Sequence, residues 1–305
     1  MVQKNSLKKI LIICGPTASG KTSLAIECAK LLNTEIISAD SMNVYKGLDI
    51  GTAKPSANER EDIKHHLIDV VSPFENFTVF DYREKALEVI NSLHDKGKIP
   101  IICGGTGFYI NSLLYDLSYG NSPANLEARE KYMKLALENG NQFVYNILME
   151  KDLETAKKLH PNDLKRVIRA LEICESDVKK SDIKDQLIPN FDYRAYSIDF
   201  DSETLYKRIN ERVDVMLKDG LVNEVKGLLS QGVSKKNQCM QGIGYKEVLP
   251  FINEEYSLEQ MAELIKLNTR HYAKRQRTFF RKLPNLVYLK PNSPLALAKK
   301  IVEEL

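Results

Sequence analysis

The chain has 305 residues, with 44 bases against 41 acids for a net charge of +3, and is 43% hydrophobic and 28% charged. That balance excludes a disordered chain, and 15 glycines with no Trp exclude a collagen-like repeat. The length suggests about two domains, enough to bury a core without disulfides, and so small a net charge argues nothing about nucleic acid until it is located.

The five cysteines, at 14, 28, 103, 174 and 239, form no C-x-x-C pair and are odd in number. They fit neither a disulfide framework nor a zinc module, and Cys14, Cys28 and Cys103 read as small buried hydrophobes. No run of 18 apolar residues occurs, so no membrane-spanning helix is expected, and residues 10–14 are too short for a signal segment. The expectation is a reduced, cytoplasmic protein without a membrane partner.

In chain order, Ile10-Leu-Ile-Ile-Cys14 is a short apolar run that reads as a strand buried on both faces. Residues 23–32 have helical spacing, 35–39 read as a second strand, 81–94 as an amphipathic helix and 99–103 as a third strand. This alternation predicts an α/β fold, a parallel sheet flanked by helices. From about 118 the texture changes to Glu, Lys, Leu and Ala, with helices expected over 126–138, 142–151, 153–159 and 162–176. Strand character returns at 193–199. Helices then follow at 203–219, 221–230 and 257–282, with a last strand at 286–289. The predicted organisation is an α/β core (1–117), an all-helical insertion (118–190) and a completion of the core (191–305).

Gly15-Pro16-Thr17-Ala18-Ser19-Gly20-Lys21-Thr22 matches the phosphate-loop pattern in full, between a strand and a helix. Glycines let successive N–H groups turn towards phosphate oxygens, and the following helix adds its positive end. Lys21 would meet the terminal phosphate, and the Thr22 hydroxyl a Mg²⁺ ion. Asp40 directly follows the second strand. Ligands of open α/β sheets bind beyond the carboxyl ends of the strands, so Asp40 should face the same cleft, as metal holder or general base, unless it merely caps the next turn. Gly104-Gly-Thr-Gly107 ends the third strand there too. Its glycines suggest close backbone approach to a ligand or a tight turn alone, with Thr106 supplying a hydroxyl.

Basic charge is concentrated at 270–282, which holds six Lys or Arg and no acid, and more weakly at Lys165, Arg166 and Arg169. Each run alone reads as a solvated face. Together, beside a phosphate loop, they fit a polyanionic partner. His65-His66 has no third ligand at a recognisable spacing. From the residues alone, an ATP-dependent small-molecule kinase fits nearly as well as a nucleic-acid enzyme.

Four segments, 15–22, 40–55, 104–109 and 241–247, together resemble the tRNA dimethylallyltransferases, and the likeness runs on to Ala273-Lys-Arg-Gln276. The resemblance implies a P-loop NTPase-like core and transfer of a dimethylallyl group from dimethylallyl diphosphate to N6 of adenosine 37 in tRNA. It also implies that the loop holds this diphosphate, with Mg²⁺ at Thr22. Lys21, Asp40, Thr106 and Arg212 become the catalytic candidates, with Asp40 as base and Arg212, in Arg208-Ile-x-x-Arg212, on the diphosphate. Contacts to tRNA fall on Asp40, Ser41, Met42, Asn43, Thr106, Arg129, Lys165, Arg166, Arg169, Gln241, Gly242, Ile243, Gly244, Tyr245 and Lys246. Asn43 stands where the family usually has Gln, which keeps the amide on a shorter arm. The absence of a C-terminal zinc finger suggests a bacterial-type member, expected to act as a monomer.

Overall fold

The computed structural model describes residues 7–117, 125–175, 179–182 and 187–305. These form two compact units: residues up to 114 together with 189–305, and residues 115–188.

The first unit is built on six parallel strands in the order β3-β2-β4-β1-β5-β6. They are β1 (Lys9–Cys14), β2 (Ile36–Ser38), β3 (His65–His66), β4 (Ile101–Gly104), β5 (Asp192–Ile198) and β6 (Leu286–Leu289). Thus β1 is central, and Ser38, Cys103, Ile13 and Tyr196 stand in one row across β2, β4, β1 and β5. Parallel pairing brings the carboxyl ends of all these strands to one edge. The loops after Cys14, Ser38 and Gly104 therefore converge, although they are far apart in sequence.

The helices of this unit are α1 (Lys21–Leu32), α2 (Ala57–Arg60), α3 (Val79–Asp95), α4 (Gly107–Leu114), and, after the second unit, α9 (Ser202–Lys218), α10 (Leu221–Ser230), α11 (Tyr245–Ile252), α12 (Leu258–Phe280) and α13 (Pro294–Glu303). Leu11 and Ile13 of β1 share a core with Leu24, Ala25 and Cys28 of α1 and Leu297 and Ile301 of α13, all essentially buried. Each large aliphatic side chain so placed contributes about 2 kcal/mol. Helix ends follow local chemistry. Thr78 accepts from the Asp81 N–H and Asp81 accepts in return from the Thr78 N–H, a reciprocal cap that starts α3 two residues before the predicted 81. Pro100 has no N–H to give the ladder, and the third predicted strand, 99–103, begins at Ile101.

Five elements were not expected from periodicity: α2, β3, α4, α11 and α13. The first two span four and two residues, too few to show a period. α13 carries legible signs in Ser293, whose side chain caps it, and Pro294 at its first turn.

The second unit contains α5 (Leu126–Asn139), α6 (Asn141–Lys151), α7 (Leu153–Ala156) and α8 (Leu164–Cys174). Tyr132, Val144, Leu148, Val167 and Leu171 form its own core. The predicted helix at 153–159 stops at Ala156, and the one at 162–176 begins at Leu164. Residue 176 lies outside the described residues, as do 118–124 of the predicted insertion. Among the described residues, no helix is long and apolar enough to cross a membrane.

Candidate active site

The phosphate loop leaves β1 at Gly15, whose φ of +141° is open to glycine, and a Cβ there would lie 2.6 Å from Ser197 Oγ on β5. Gly20, at φ +80°, turns the chain into α1, and no side chain caps the first turn of that helix. The N–H groups at its start are left for an external acceptor. Ser19 Oγ, also in this loop, is buried without a partner.

Three side chains from distant helices brace the loop. Gln276 of α12 is buried; its Oε1 accepts the Thr17 N–H at 2.9 Å and its Nε2 donates to Gly105 O at 2.9 Å. Arg208 Nε of α9 donates to Ala18 O at 2.8 Å. One turn on, Arg212 donates to Thr17 Oγ1 and to Ala53 O, each at 3.3 Å. Lys21 Nζ donates to Pro16 O at 3.2 Å. Burial lowers the Lys21 pKa, with Cys103 and Asp40 opposing and Arg212 reinforcing. Burial likewise lowers that of Arg212, against the pull of Asp40. Two cations are thus held desolvated against neutral oxygens.

Asp40 follows β2 and performs the capping role open to it, since its Oδ1 accepts the Met42 N–H at 2.9 Å. It also lines one cleft of about 1200 Å³ together with Thr17, Lys21, Thr22, Asn43, Arg208 and Arg212. Asn43 Oδ1 is buried without a partner. Thr106 Oγ1 accepts the Ser41 N–H at 3.0 Å, and the Thr106 N–H donates to Ala39 O at 3.0 Å, so the turn carrying Asp40 is tied to the end of β4.

The glycines beside Thr106 have a different reason from close approach to a ligand. A Cβ on Gly104 would fall 2.1 Å from Ala39 O, one on Gly105 2.2 Å from Gln276 Nε2, and one on Gly107 2.2 Å from the Phe279 ring. They let two strand ends and α12 come together.

Sequence reading missed Tyr272 and Gln276, which lie within the basic run at 270–282. Burial, aided by Asp40, pushes the Tyr272 hydroxyl up to about 12, with Thr106 and Gln276 pulling the other way. The spacing 272, 276, 280 marks one helical face, which was the available signal. Lys274 and Arg275 of α12, with Lys282 just beyond its end, line a separate groove of about 560 Å³ with His271 and Phe279. Arg270 and Arg277 instead turn to Asn210 and to Ser202 and Asp199.

Residues 241–246 form the turn into α11. Gln241 and Lys246 are exposed, Gly242 lies against the Met42 side chain, and Ile243 is half-buried. Gly244, at φ +97°, starts the helix. Tyr245 is fully buried with its hydroxyl on Glu224 at 2.6 Å, so its ring serves the interior.

In the second unit, Lys165 and Arg166 are exposed. Arg129 and Arg169 instead converge on buried Glu172, at 2.9 and 2.7 Å. His66 meets Glu35 at 2.6 Å and His65 Nδ1 lies 2.9 Å from Ile63 O. Burial pushes the thiols of Cys14, Cys28 and Cys103 up to about 12.

A phosphate loop, a carboxylate and a basic helix meeting at the carboxyl edge of a parallel sheet define a transferase or kinase of the P-loop type, and comparison with known proteins separates these. The IPP transferase family model matches residues 43–283. A tRNA dimethylallyltransferase from Acetivibrio thermocellus is 48% identical over 287 residues, covering 93% of this chain and 92% of its own. One from Clostridioides difficile is 47% identical over 280 residues, covering 90% of each. Among solved structures, a tRNA delta(2)-isopentenylpyrophosphate transferase from Staphylococcus epidermidis is 40% identical with a TM-score of 0.73, over 97% of this chain and 98% of that one. A eukaryotic dimethylallyltransferase described as acting on tRNA is 32% identical with a TM-score of 0.81, over 93% of this chain and 74% of that one. The chain belongs to the IPP transferase family.

Proposed function

We propose that this protein transfers a dimethylallyl group from dimethylallyl diphosphate to N6 of adenosine 37 in tRNA, releasing diphosphate. The carrying observation is that Lys21 and Arg212, desolvated and met by neutral oxygens, line the same cleft as Asp40 and the unpartnered Asn43 Oδ1. One end of the cleft suits a polyanion. The other offers two oxygen acceptors for an amine.

The loop N–H groups, Lys21 and Arg212 hold the diphosphate. As the allylic C–O bond ionises, negative charge grows on the leaving group, and these donors stabilise it without reorganising. The hydroxyl of Thr22 and the carboxylate of Asp40 line the cleft as hard oxygen donors, a set suited to Mg²⁺. Thr22 is the residue assigned to that ion, which when bound would supply further charge neutralisation. Asp40 accepts the proton lost from N6 as the new C–N bond forms, and the Thr106 bond to the Ser41 N–H keeps its turn in place. The adenine reaches Asp40 only by leaving the base stack.

Residues 40–43, Thr106 and, apart from the buried Tyr245, the turn at 241–246 are assigned to the tRNA in the first unit, with Lys274, Arg275 and Lys282 on phosphates. Lys165 and Arg166 are exposed cations of the second unit, Arg166 lying 3.5 Å from Asp163. Arg129 and Arg169 share their charge with Glu172 and contribute less. The enzyme acts in the cytoplasm as a monomer.

The test is nucleoside mass spectrometry on unmodified tRNA bearing A36-A37-A38, incubated with protein, Mg²⁺ and dimethylallyl diphosphate, with ATP as a parallel arm. A dimethylallyl mass gain on adenosine 37 without ATP is expected. No gain, with ATP turned over in the parallel arm, would overturn the reading in favour of nucleotide chemistry.

A further inference from the structure

Glu224 of α10 carries no part of the proposed reaction, yet its carboxylate gathers four hydrogen bonds. Its Oε2 accepts the N–H groups of Asp49 and Ile50, each at 2.8 Å. Its Oε1 accepts the Gly51 N–H at 3.1 Å and the Tyr245 hydroxyl at 2.6 Å. Three successive N–H groups turned on one carboxylate are a charge-assisted clasp, stronger than the same bonds to a neutral acceptor. The fit is close, since a Cβ on Gly51 would lie 2.6 Å from the Tyr245 ring.

The clasped segment leads directly to the diphosphate end of the cleft. The Ala53 N–H donates to Ile50 O and the Lys54 N–H to Asp49 O, both at 2.9 Å, so the turn over 49–54 is closed by its own backbone bonds. Ala53 sits at φ +46°, a conformation such a turn must enforce. Its carbonyl accepts from Arg212 Nη2, while Nη1 of the same guanidinium reaches Thr17 in the phosphate loop. Through Tyr245 the same carboxylate also holds the turn at 241–246, whose Gly242 abuts Met42.

We infer that Glu224 is a positioning residue that sets Arg212 for the diphosphate by fixing the carbonyl of Ala53. The inference rests on the reading of the loop as a prenyl-diphosphate site. A carboxylate is required at this position. In a glutamine one oxygen becomes an NH₂, which faces the Gly51 N–H donor to donor.

The experiment is calorimetric titration of dimethylallyl diphosphate with Mg²⁺ into the full chain, as wild type, Glu224→Gln, Arg212→Ala and the double variant. Glu224→Gln is expected to weaken binding about tenfold, by loss of one charge-assisted contact at Arg212. The double variant should then lose little beyond Arg212→Ala alone, because both changes remove the same interaction. Losses that multiply, or a Glu224→Gln protein that binds like wild type, overturn the inference. Wild-type protein that binds no dimethylallyl diphosphate overturns the functional reading and the inference with it. Should Glu224→Gln fail to fold, amide exchange in the wild type carries the test. The amides of 49–51 should gain protection when dimethylallyl diphosphate binds, and unchanged protection there overturns the inference.

Discussion

The helical unit and the phosphate-loop cleft treat buried charge in opposite ways. In the helical unit, Glu172 is 3% exposed and receives Arg129, Arg169 and the N–H of Asn125, while Asp152, 2% exposed, receives the Thr155 hydroxyl and the N–H groups of Thr155 and Ser181. In the α/β unit, Lys21 and Arg212 meet a carbonyl, a hydroxyl and another carbonyl. The pKa directions coincide and mean different things. For Asp152, burial raises it but the hydrogen bonds outweigh that and bring it to about 2, so the charged form is favoured. For Lys21, burial lowers it, so the charged form is disfavoured. A buried charge whose partners favour its charged form is architecture. One whose charged form burial disfavours, with only neutral oxygens as hydrogen-bond partners, is poised for a ligand of opposite sign.

Substitutions in the two units should therefore separate activity from stability. The largest effect is expected at Lys21. Lys21→Ala should lower kcat/KM by about 10³-fold, as for loss of one donor to a developing anion, while Tm stays level or rises because a desolvated cation is gone. Steady-state kinetics beside a thermal melt check both halves, and a large fall in Tm would break the contrast. The lowered pKa also sets a sign for pH. Diphosphate needs protonated Lys21, so affinity in the wild type should weaken with rising pH before the ordinary lysine value of 10.5 is reached.

Glu172→Ala should act the other way. It leaves two guanidiniums and an N–H without their acceptor and should cost the helical unit about 3 kcal/mol. Chemical denaturation followed by circular dichroism should show one transition moving, with affinity for dimethylallyl diphosphate unchanged.

The smallest effect is that of Asp152 titration. Its folded pKa of about 2 lies below the ordinary 3.8, so its stabilisation is complete above the ordinary value and is lost as pH falls towards 2. The amount is about 2 kcal/mol. Asp152→Asn should flatten the acid limb of the stability curve, and an unchanged slope would remove Asp152 from the account.

Much of this was legible in the sequence because it depends on neighbours in the chain. The strand-loop-helix over 9–32 follows from an apolar run, Gly15, Gly20 and the helical spacing after it. The place of Asp40 follows from parallel pairing alone, since every strand ends at the same edge. What escaped depends on contacts between distant positions. Arg169 reads as part of a basic run and Arg129, by resemblance, as a tRNA contact, whereas Glu172, 43 residues from Arg129, takes both. Gly104 and Gly105 read as an approach to ligand or a tight turn alone, and it is Ala39 and Gln276 that occupy the space beside them. Glu224 lay in an ordinary amphipathic helix, and nothing local shows that three amides 173 to 175 residues away turn towards it.

The most direct test of the site is single-turnover modification of an A37-bearing tRNA by Asp40→Asn at saturating dimethylallyl diphosphate, with binding of that diphosphate measured alongside. A proton acceptor on the reacting amine contributes about 10²–10⁴-fold, so the account predicts a fall in rate of at least about 10²-fold. Diphosphate affinity measured without Mg²⁺ should be kept or improved, because a negative charge has left a cleft that binds an anion. A variant that modifies tRNA at the wild-type rate would contradict the assignment of Asp40 as base. A variant that fails only because it no longer binds diphosphate would contradict the division of the cleft into an anion end and an amine end.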